Sequence, residues 1–79
     1  MTDLEKRILA RLASVVDARG PGSWHTAGAL ATDLNEPEEL VTAALSGLEG
    51  RRLVRRRDFG AAGPTYELAP HGRRALAAP

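Results

Sequence analysis

Five arginines lie within seven positions in the second half of this 79-residue chain: Arg51, Arg52, Arg55, Arg56 and Arg57. A guanidinium group stays charged at physiological pH, and its planar fork of N–H donors matches the oxygens of a phosphate. Such a cluster indicates the backbone of a nucleic acid as the partner. The simpler alternative is a solvated strand edge that its charges keep soluble.

The residue types that usually carry catalysis or hold metals are scarce and scattered. The chain has no cysteine, so a disulfide framework and a thiolate metal site are both excluded. His25 and His71 are far apart, neither has a metal-ligand spacing, and no nucleophile is placed beside a base. We therefore expect no enzyme activity, no metal site and no cofactor.

Length and composition indicate one small domain over residues 1–79, with a marginal core and 43% hydrophobic residues. No apolar run approaches the roughly 18 residues of a membrane-spanning helix, and the charged, amphipathic N-terminus is unlike a signal peptide. We expect a cytoplasmic protein with no membrane partner. The preference for arginine and alanine suggests a bacterial source.

The formal net charge of +1 conceals a separation of charges along the chain. Residues 1–19 carry a net charge of +1, residues 20–50 carry −5, and residues 51–79 carry +5. The middle of the chain is therefore acidic and its end is basic. Such complementary regions also permit a weak head-to-tail contact between two copies.

A capping box and a broad apolar stripe predict the first helix. Thr2 and Glu5 have the residue types and the spacing of the box, and residues 20–22, Gly-Pro-Gly, should end the helix. We interpret the stripe as facing the core, with an edge left for a partner helix as the alternative. It consists of Leu4, Ile8, Leu9, Leu12, Val15 and Val16.

Two further helices follow. Residues 25–34 predict a short helix capped by Thr26, with an apolar face of Leu30, Ala31 and Leu34. The third helix should hold Pro37 in its first turn. Its core-facing residues should be Leu40, Val41, Ala44, Leu45 and Leu48. Its outward residues are then Glu38, Glu39, Thr42, Ala43, Ser46 and Gly47.

After Gly50 the pattern changes to that of strands. A run from Leu53 to Phe59 and a second run over residues 65–68 predict a hairpin, joined by a glycine-containing turn at residues 60–64. Tyr66 and Leu68 should share one face of the second strand. A last short helix should open at Pro70. Three helices, a hairpin and a short C-terminal helix make an α+β fold.

The order LEGRRLVRR, a glycine-containing turn and then YELAPHGRRAL resembles the end of MarR-like and PadR-like winged-helix transcription regulators. The resemblance implies a small winged helix-turn-helix domain with a two- or three-stranded antiparallel wing, and a brief strand at residues 23–25. Trp24 would pack at the end of that sheet, or, as the alternative, stack on bases. Ala69 and Arg52 depart from the pattern, which usually has a hydroxyl cap and a glycine there, and so does the acidic third helix.

The resemblance also implies a transcription regulator, and we expect it to bind duplex DNA mainly through the arginine-rich wing. The candidate contacts are Arg51, Arg52, Arg55, Arg56 and Arg57, together with Thr42 and Ser46, and Arg73 and Arg74 as additions. The outward side of the third helix has no arginine, lysine, asparagine or glutamine, so the usual readers of guanine and adenine are missing there. We therefore expect phosphate contacts to dominate.

The acidic third helix also fits a second function, which is docking of a protein partner on that helix or on the first one. Regulators of this kind generally dimerise through additional long helices, for which no segment of this sequence remains. We expect at most a weak homodimer. A two-fold dimer through the apolar stripe of the first helix ranks above a charged chain of copies, because burial of apolar surface stabilises a contact more than exposed charges do.

Overall fold

A computed structural model describes residues 1–20, 24–58, 60 and 63–77, and the statements below concern these residues. The elements in chain order are α1 (Asp3–Arg19), β1 (His25–Thr26), α2 (Ala27–Leu34), α3 (Glu38–Gly50), β2 (Val54–Asp58), β3 (Pro64–Leu68) and α4 (Pro70–Ala77). This architecture confirms the predicted α+β winged helix-turn-helix. The predicted features at Pro21, Gly22, Ser23, Phe59, Ala61 and Ala62 lie outside the described residues.

The capping box at the start of α1 is present as predicted. The Thr2 hydroxyl accepts a hydrogen bond from the Glu5 amide at 3.1 Å, and the Glu5 carboxylate accepts one from the Thr2 amide at 2.8 Å. At the other end, Gly20 adopts a φ of 88° and donates its N–H to the Val16 carbonyl at 2.7 Å. Glycine suits that position because it has no Cβ to resist a positive φ.

The ends of α2 are also explained by local chemistry. The Thr26 hydroxyl accepts a hydrogen bond from the Ala29 amide at 3.1 Å, which confirms Thr26 as the cap. Asn35 ends α2 in the left-handed conformation with a φ of 54°, which asparagine tolerates better than most residues. Pro37 then occupies the N-cap of α3, so this helix begins at Glu38, one residue later than predicted.

Three antiparallel strands form one sheet in the order β1-β3-β2. Tyr66 of β3 lies between His25 of β1 and Arg56 of β2, and Val54 pairs with Leu68. A brief strand is present as β1, but it comprises His25 and Thr26 and so lies later in the chain than the predicted residues 23–25. β2 therefore lies at one edge of this sheet and the much shorter β1 at the other.

The turn from α3 into β2 contains an unusual backbone conformation. Arg52 has a φ of 62°, and the next amide, that of Leu53, donates to the Leu48 carbonyl at 2.9 Å to close the helix. A residue with a side chain pays roughly 1–2 kcal/mol for the left-handed conformation, which glycine adopts without that cost. The regulators that this chain resembles usually have glycine at this position. The arginine that replaces it here therefore adopts a strained backbone conformation.

The start of α4 packs tightly on this turn. Ala69 is buried, and its amide donates to the Leu53 carbonyl at 3.1 Å. Gly72 is buried too, and a Cβ added there would lie 2.1 Å from the Leu53 carbonyl oxygen. Only glycine can therefore occupy position 72 with the helix in this place.

The core contains ten buried residues contributed by three helices and two strands. Leu45 and Leu48 of α3 and Ile8 and Leu9 of α1 have no exposed surface. Four of the six stripe residues, Ile8, Leu9, Leu12 and Val15, are buried, which agrees with the interpretation that the stripe faces the core. The full cluster is Ile8, Leu9, Leu12, Leu30, Ala31, Val41, Leu45, Leu48, Val54 and Tyr66.

The prediction that Leu40 faces the core is wrong. Its side chain is 53% exposed, whereas Val41, Leu45 and Leu48 are fully buried. At about 100° per residue, the three buried positions centre roughly 100° away from Leu40, which places it on the rim of the helix. The five apolar positions cover too wide an arc for all of them to face one core.

We expect Leu45→Asp to unfold the domain. An unpaired charge in the core costs several kcal/mol, against a stability of about 5 kcal/mol for so small a domain. Circular dichroism should show loss of the helical signal. The matched control is Leu40→Asp on the same helix, which should remain folded. Two variants with the same melting curve would contradict the assignment of the α3 faces.

Candidate nucleic-acid interface

The outward side of α3 is as predicted apart from Leu40. Thr42 and Ser46 are both exposed, as are the two glutamates at the start of the helix. Thr42 and Glu38 line an open cleft with the cap residue Thr26, with Ala27 and Gly28 of α2 and with Pro64 and Tyr66 of β3. The beginning of α2, the first half of α3 and the beginning of β3 therefore meet on one surface, which we call the helix-turn-helix surface.

Glu38 lies against the N-terminus of α2. Its Oε1 is 3.0 Å from the position that a Cβ on Gly28 would occupy, and the Thr26 hydroxyl oxygen is 4.0 Å from that same position. The first amides of a helix carry a partial positive charge and favour a nearby anion. A carboxylate of the protein itself is therefore located where an external phosphate could approach α2.

The five predicted arginines have different surroundings. Arg51 forms an ion pair with Glu5, which links the end of α3 to the start of α1. Arg56 forms an ion pair with Asp58 at 3.3 Å, two residues along the same strand. The guanidinium of Arg57 lies over the ring of Trp24, 5.1 Å from its centroid. Arg52 and Arg55 are exposed.

Four of the five arginines share one groove, which we call the β2 groove. It has a volume of about 590 Å³ and is lined by consecutive residues of β2, by the end of α3 and by the start of α4. Arg51, Thr42 and Ser46 are absent from its lining, so the predicted site residues are divided between the groove and α3. The groove residues are Trp24, Glu49, Arg52, Val54, Arg55, Arg56, Arg57, Ala69, Pro70, His71 and Arg74.

The half-buried Trp24 is a member of this groove, and its ring interacts with Arg57. A cation held over an aromatic ring contributes roughly 0.5–1 kcal/mol at an exposed site. This contact joins the residue before β1 to the far strand of the sheet. The tryptophan therefore packs across the small sheet, in keeping with the packing role predicted from the sequence.

The acidic middle of the chain is partly neutralised by arginines of α1, which could not be foreseen from the sequence. Arg7 forms an ion pair with Glu36 at 2.6 Å and also donates to the Leu34 carbonyl at 2.7 Å. Arg11 pairs with Asp33 at 3.1 Å. The partners are 29 and 22 residues apart in the sequence, so no local spacing could have revealed them.

Two other sequence candidates also have partners. Arg73 pairs with Asp17 of α1 at 3.0 Å, and an amino group of Arg74 lies 2.8 Å from Nδ1 of His71. Within the described part of the chain, no group of three or more histidine or acidic side chains could hold a metal ion. Among the described helices, none has the length and apolar character needed to cross a membrane.

The surroundings of Glu5 lower the pKa of its carboxyl. The hydrogen bond from the Thr2 backbone amide is the main cause that lowers the pKa of its carboxyl below the ordinary 4.5, and the positive charge of Arg51 adds to it. Partial burial acts in the opposite direction without cancelling these effects. Glu5 therefore stays ionised to a lower pH in the folded domain than in the unfolded chain.

This shift predicts a pH dependence of stability. A carboxylate whose pKa is lowered by folding stabilises the domain above its unfolded pKa, and that contribution disappears as the pH falls through the folded pKa. We therefore expect Glu5→Gln to lower the melting temperature at neutral pH, and the difference from wild type to shrink below about pH 4.5. Thermal melts across this range measure it.

The matched control is Asp3→Asn, which removes a carboxylate from the same first turn outside the capping box. Its melting temperature should follow that of the wild type more closely at every pH. A constant difference between wild type and Glu5→Gln down to strongly acidic pH would contradict the assigned role of Glu5.

Comparisons with known proteins agree with this architecture at the level of the fold. No protein-family model and no curated protein sequence matches the chain. The transcriptional regulator BldR from Sulfolobus solfataricus has a similar structure, with a TM-score of 0.79 and 24% identity over 98% of this chain and 51% of its own. The adhesin competence repressor AdcR from Streptococcus pyogenes gives a TM-score of 0.78 and 20% identity, over 98% and 53%.

MepR from S. aureus, in its complex with DNA, gives a TM-score of 0.76 and 19% identity over 98% of this chain and 52% of its own. This chain spans about half the length of these structures. At identities this low the likeness concerns the fold, and it includes every element from α1 to α4. The chain therefore has a MarR-like winged helix-turn-helix fold.

Proposed function

We propose that this domain binds duplex DNA and serves in transcription regulation. The observation that carries the proposal is the match of nearly the whole chain to MepR in a DNA complex, a structure with the same helix-turn-helix and hairpin. A shared fold does not determine function by itself, so the residues must also suit the task. The arginines of the β2 groove, at the base and along one strand of the hairpin, supply the cationic surface that phosphates require.

In the proposed complex, α3 approaches the major groove and presents Thr42 and Ser46. Arg55, Arg56 and Arg57 contact phosphates beside it. Hydroxyl groups can bond to several bases, so they add little discrimination. Glu39, exposed on the same helix, repels the DNA backbone. Binding of this kind is governed by charge and has a weak sequence preference.

The existing partners of each arginine indicate how much it should contribute to phosphate binding. Arg51 is held by Glu5, and a phosphate would have to displace that carboxylate. Arg56 has Asp58 as a competing partner. Arg52 and Arg55 are exposed and form no ion pair with the described residues, so we assign them the larger contributions.

The affinity for duplex DNA should fall steeply with salt and differ little between random and candidate promoter sequences. The slope of log affinity against log salt is about 0.9 per phosphate contact, so Arg55→Ser should reduce its magnitude by roughly that amount. Fluorescence anisotropy titrations at several salt concentrations provide the measurement. Lys6→Ser, a charge removed beside α4 on another surface, is the matched control and should change the slope less. Strong sequence discrimination that persists at high salt would refute the proposal.

Glu38 should weaken DNA binding more than its neighbour Glu39 does. Its carboxylate lies at the N-terminus of α2, where an anion contributes about 0.3–1 kcal/mol, so Glu38→Gln should tighten duplex binding by roughly two- to fivefold. Glu39→Gln removes the same charge from the same helix and is the control. Equal effects of the two changes would mean that only the total charge of the surface matters.

A second candidate function is docking of a protein partner on α3, and the exposure of Leu40 favours it. This leucine is 53% exposed and is preceded by the exposed Glu39. A large apolar side chain with an acidic neighbour suits an amphipathic, basic partner. Sedimentation of wild type and Leu40→Ser distinguishes the simplest case, self-association through α3, since only the wild type would then form a weak homodimer.

A further inference from the structure

The β2 groove follows the edge of a strand. β2 has β3 as its neighbour on one side, and in the described sheet no strand lies on the other side. The groove is lined by four consecutive residues, Val54 to Arg57. Because successive side chains of a strand point to opposite faces, the arginines that β2 contributes to the groove belong to both faces of this edge strand. The backbone N–H and C=O groups of an edge can pair with an added strand.

The charges around this edge are strongly one-sided. Five arginines line the groove, three from β2, one from the turn before it and one from α4, against the single carboxylate of Glu49. Asp58 already contacts Arg56 at 3.3 Å, so a carboxylate at this edge is within reach of the guanidinium groups. An extended segment with acidic side chains would complement the edge in both its backbone and its charge.

The same charges disfavour pairing of β2 with a second copy of itself. Two such edges side by side would bring arginine against arginine, and like charges in facing strands are destabilising. Duplex DNA can satisfy the arginines, but it has no extended backbone of alternating amides and carbonyls to pair with the strand. An acidic polypeptide is therefore the partner that can satisfy both the arginines and the backbone groups of the edge.

We propose that the free edge of β2 is a docking site for an extended, acidic segment of a partner protein. The segment adds a fourth strand next to β2, with acidic side chains on both of its faces. Its carboxylates pair with Arg55 and Arg57 on one face of the sheet and with Arg56 on the other. This interaction goes beyond DNA binding and does not depend on it.

A short synthetic peptide with a Glu-Glu-Val-Val repeat, labelled with a fluorophore, presents glutamates on both faces of a strand and is a suitable probe for the full chain. Anisotropy should show saturable binding, and hydrogen exchange should slow at the amides of β2. The double change Arg55→Ser and Arg56→Ser removes one charge from each face and should weaken binding by about five- to tenfold. Lys6→Ser, outside the groove, should leave it unchanged within about twofold.

The decisive comparison is with the same peptide methylated at every backbone amide, so that neither of its edges can donate main-chain hydrogen bonds. Its charge is unchanged, but it lacks these donors, so we expect its binding to be weaker by tenfold or more. Equal affinity of the two peptides, unchanged exchange in β2, or no binding of the unmodified peptide would each overturn the inference. Binding of duplex DNA without binding of the peptide would overturn the inference and leave the proposed function intact. Binding of the peptide without binding of duplex DNA would support the inference and refute the proposed function.

Discussion

The burial of one face of α3 is the constraint on which the remainder of the domain depends. Leu45 and Leu48 are fully buried in a cluster shared with α1, α2 and the sheet, so the helix has a single rotation about its axis. That rotation decides that Thr42 and Ser46 face outward. A domain of this size has no second core to compensate for an error there. The side chains that α3 presents to a partner are thus determined by the packing of its opposite face against the core.

Most of the fold could be predicted because its signals are local. The capping box at Thr2 and the hydroxyl cap at Thr26 depend on residues three positions apart, and helical periodicity identified the buried residues of α1. Leu40 was wrongly assigned to the core because helical periodicity shows which side of a helix is apolar but not how far around the helix burial extends. The strained φ of Arg52 was visible only as a departure from a pattern, and its meaning required the geometry of the turn.

The candidate site was less accessible to sequence reasoning, because charge counted along the chain differs from charge in space. The charged residues within positions 20–50 are all acidic, yet two of them, Asp33 and Glu36, are paired with arginines of α1. Arg51 likewise forms an ion pair with Glu5, 46 residues away in the sequence. What the sequence did predict is the cluster of arginines at β2, since consecutive residues of a strand stay together in any fold. Its position along a sheet edge could not be inferred from residue types.

Gly72 has a consequence for how the hairpin can vary. A Cβ at this position would meet the Leu53 carbonyl oxygen at 2.1 Å, so the chain is clamped just before β2 and just after β3. Changes of length between these two points cannot be absorbed at the clamped ends and must be accommodated at the tip of the hairpin. The reach of the wing can therefore be lengthened or shortened over evolution, or by engineering, while the helices and the core keep their places.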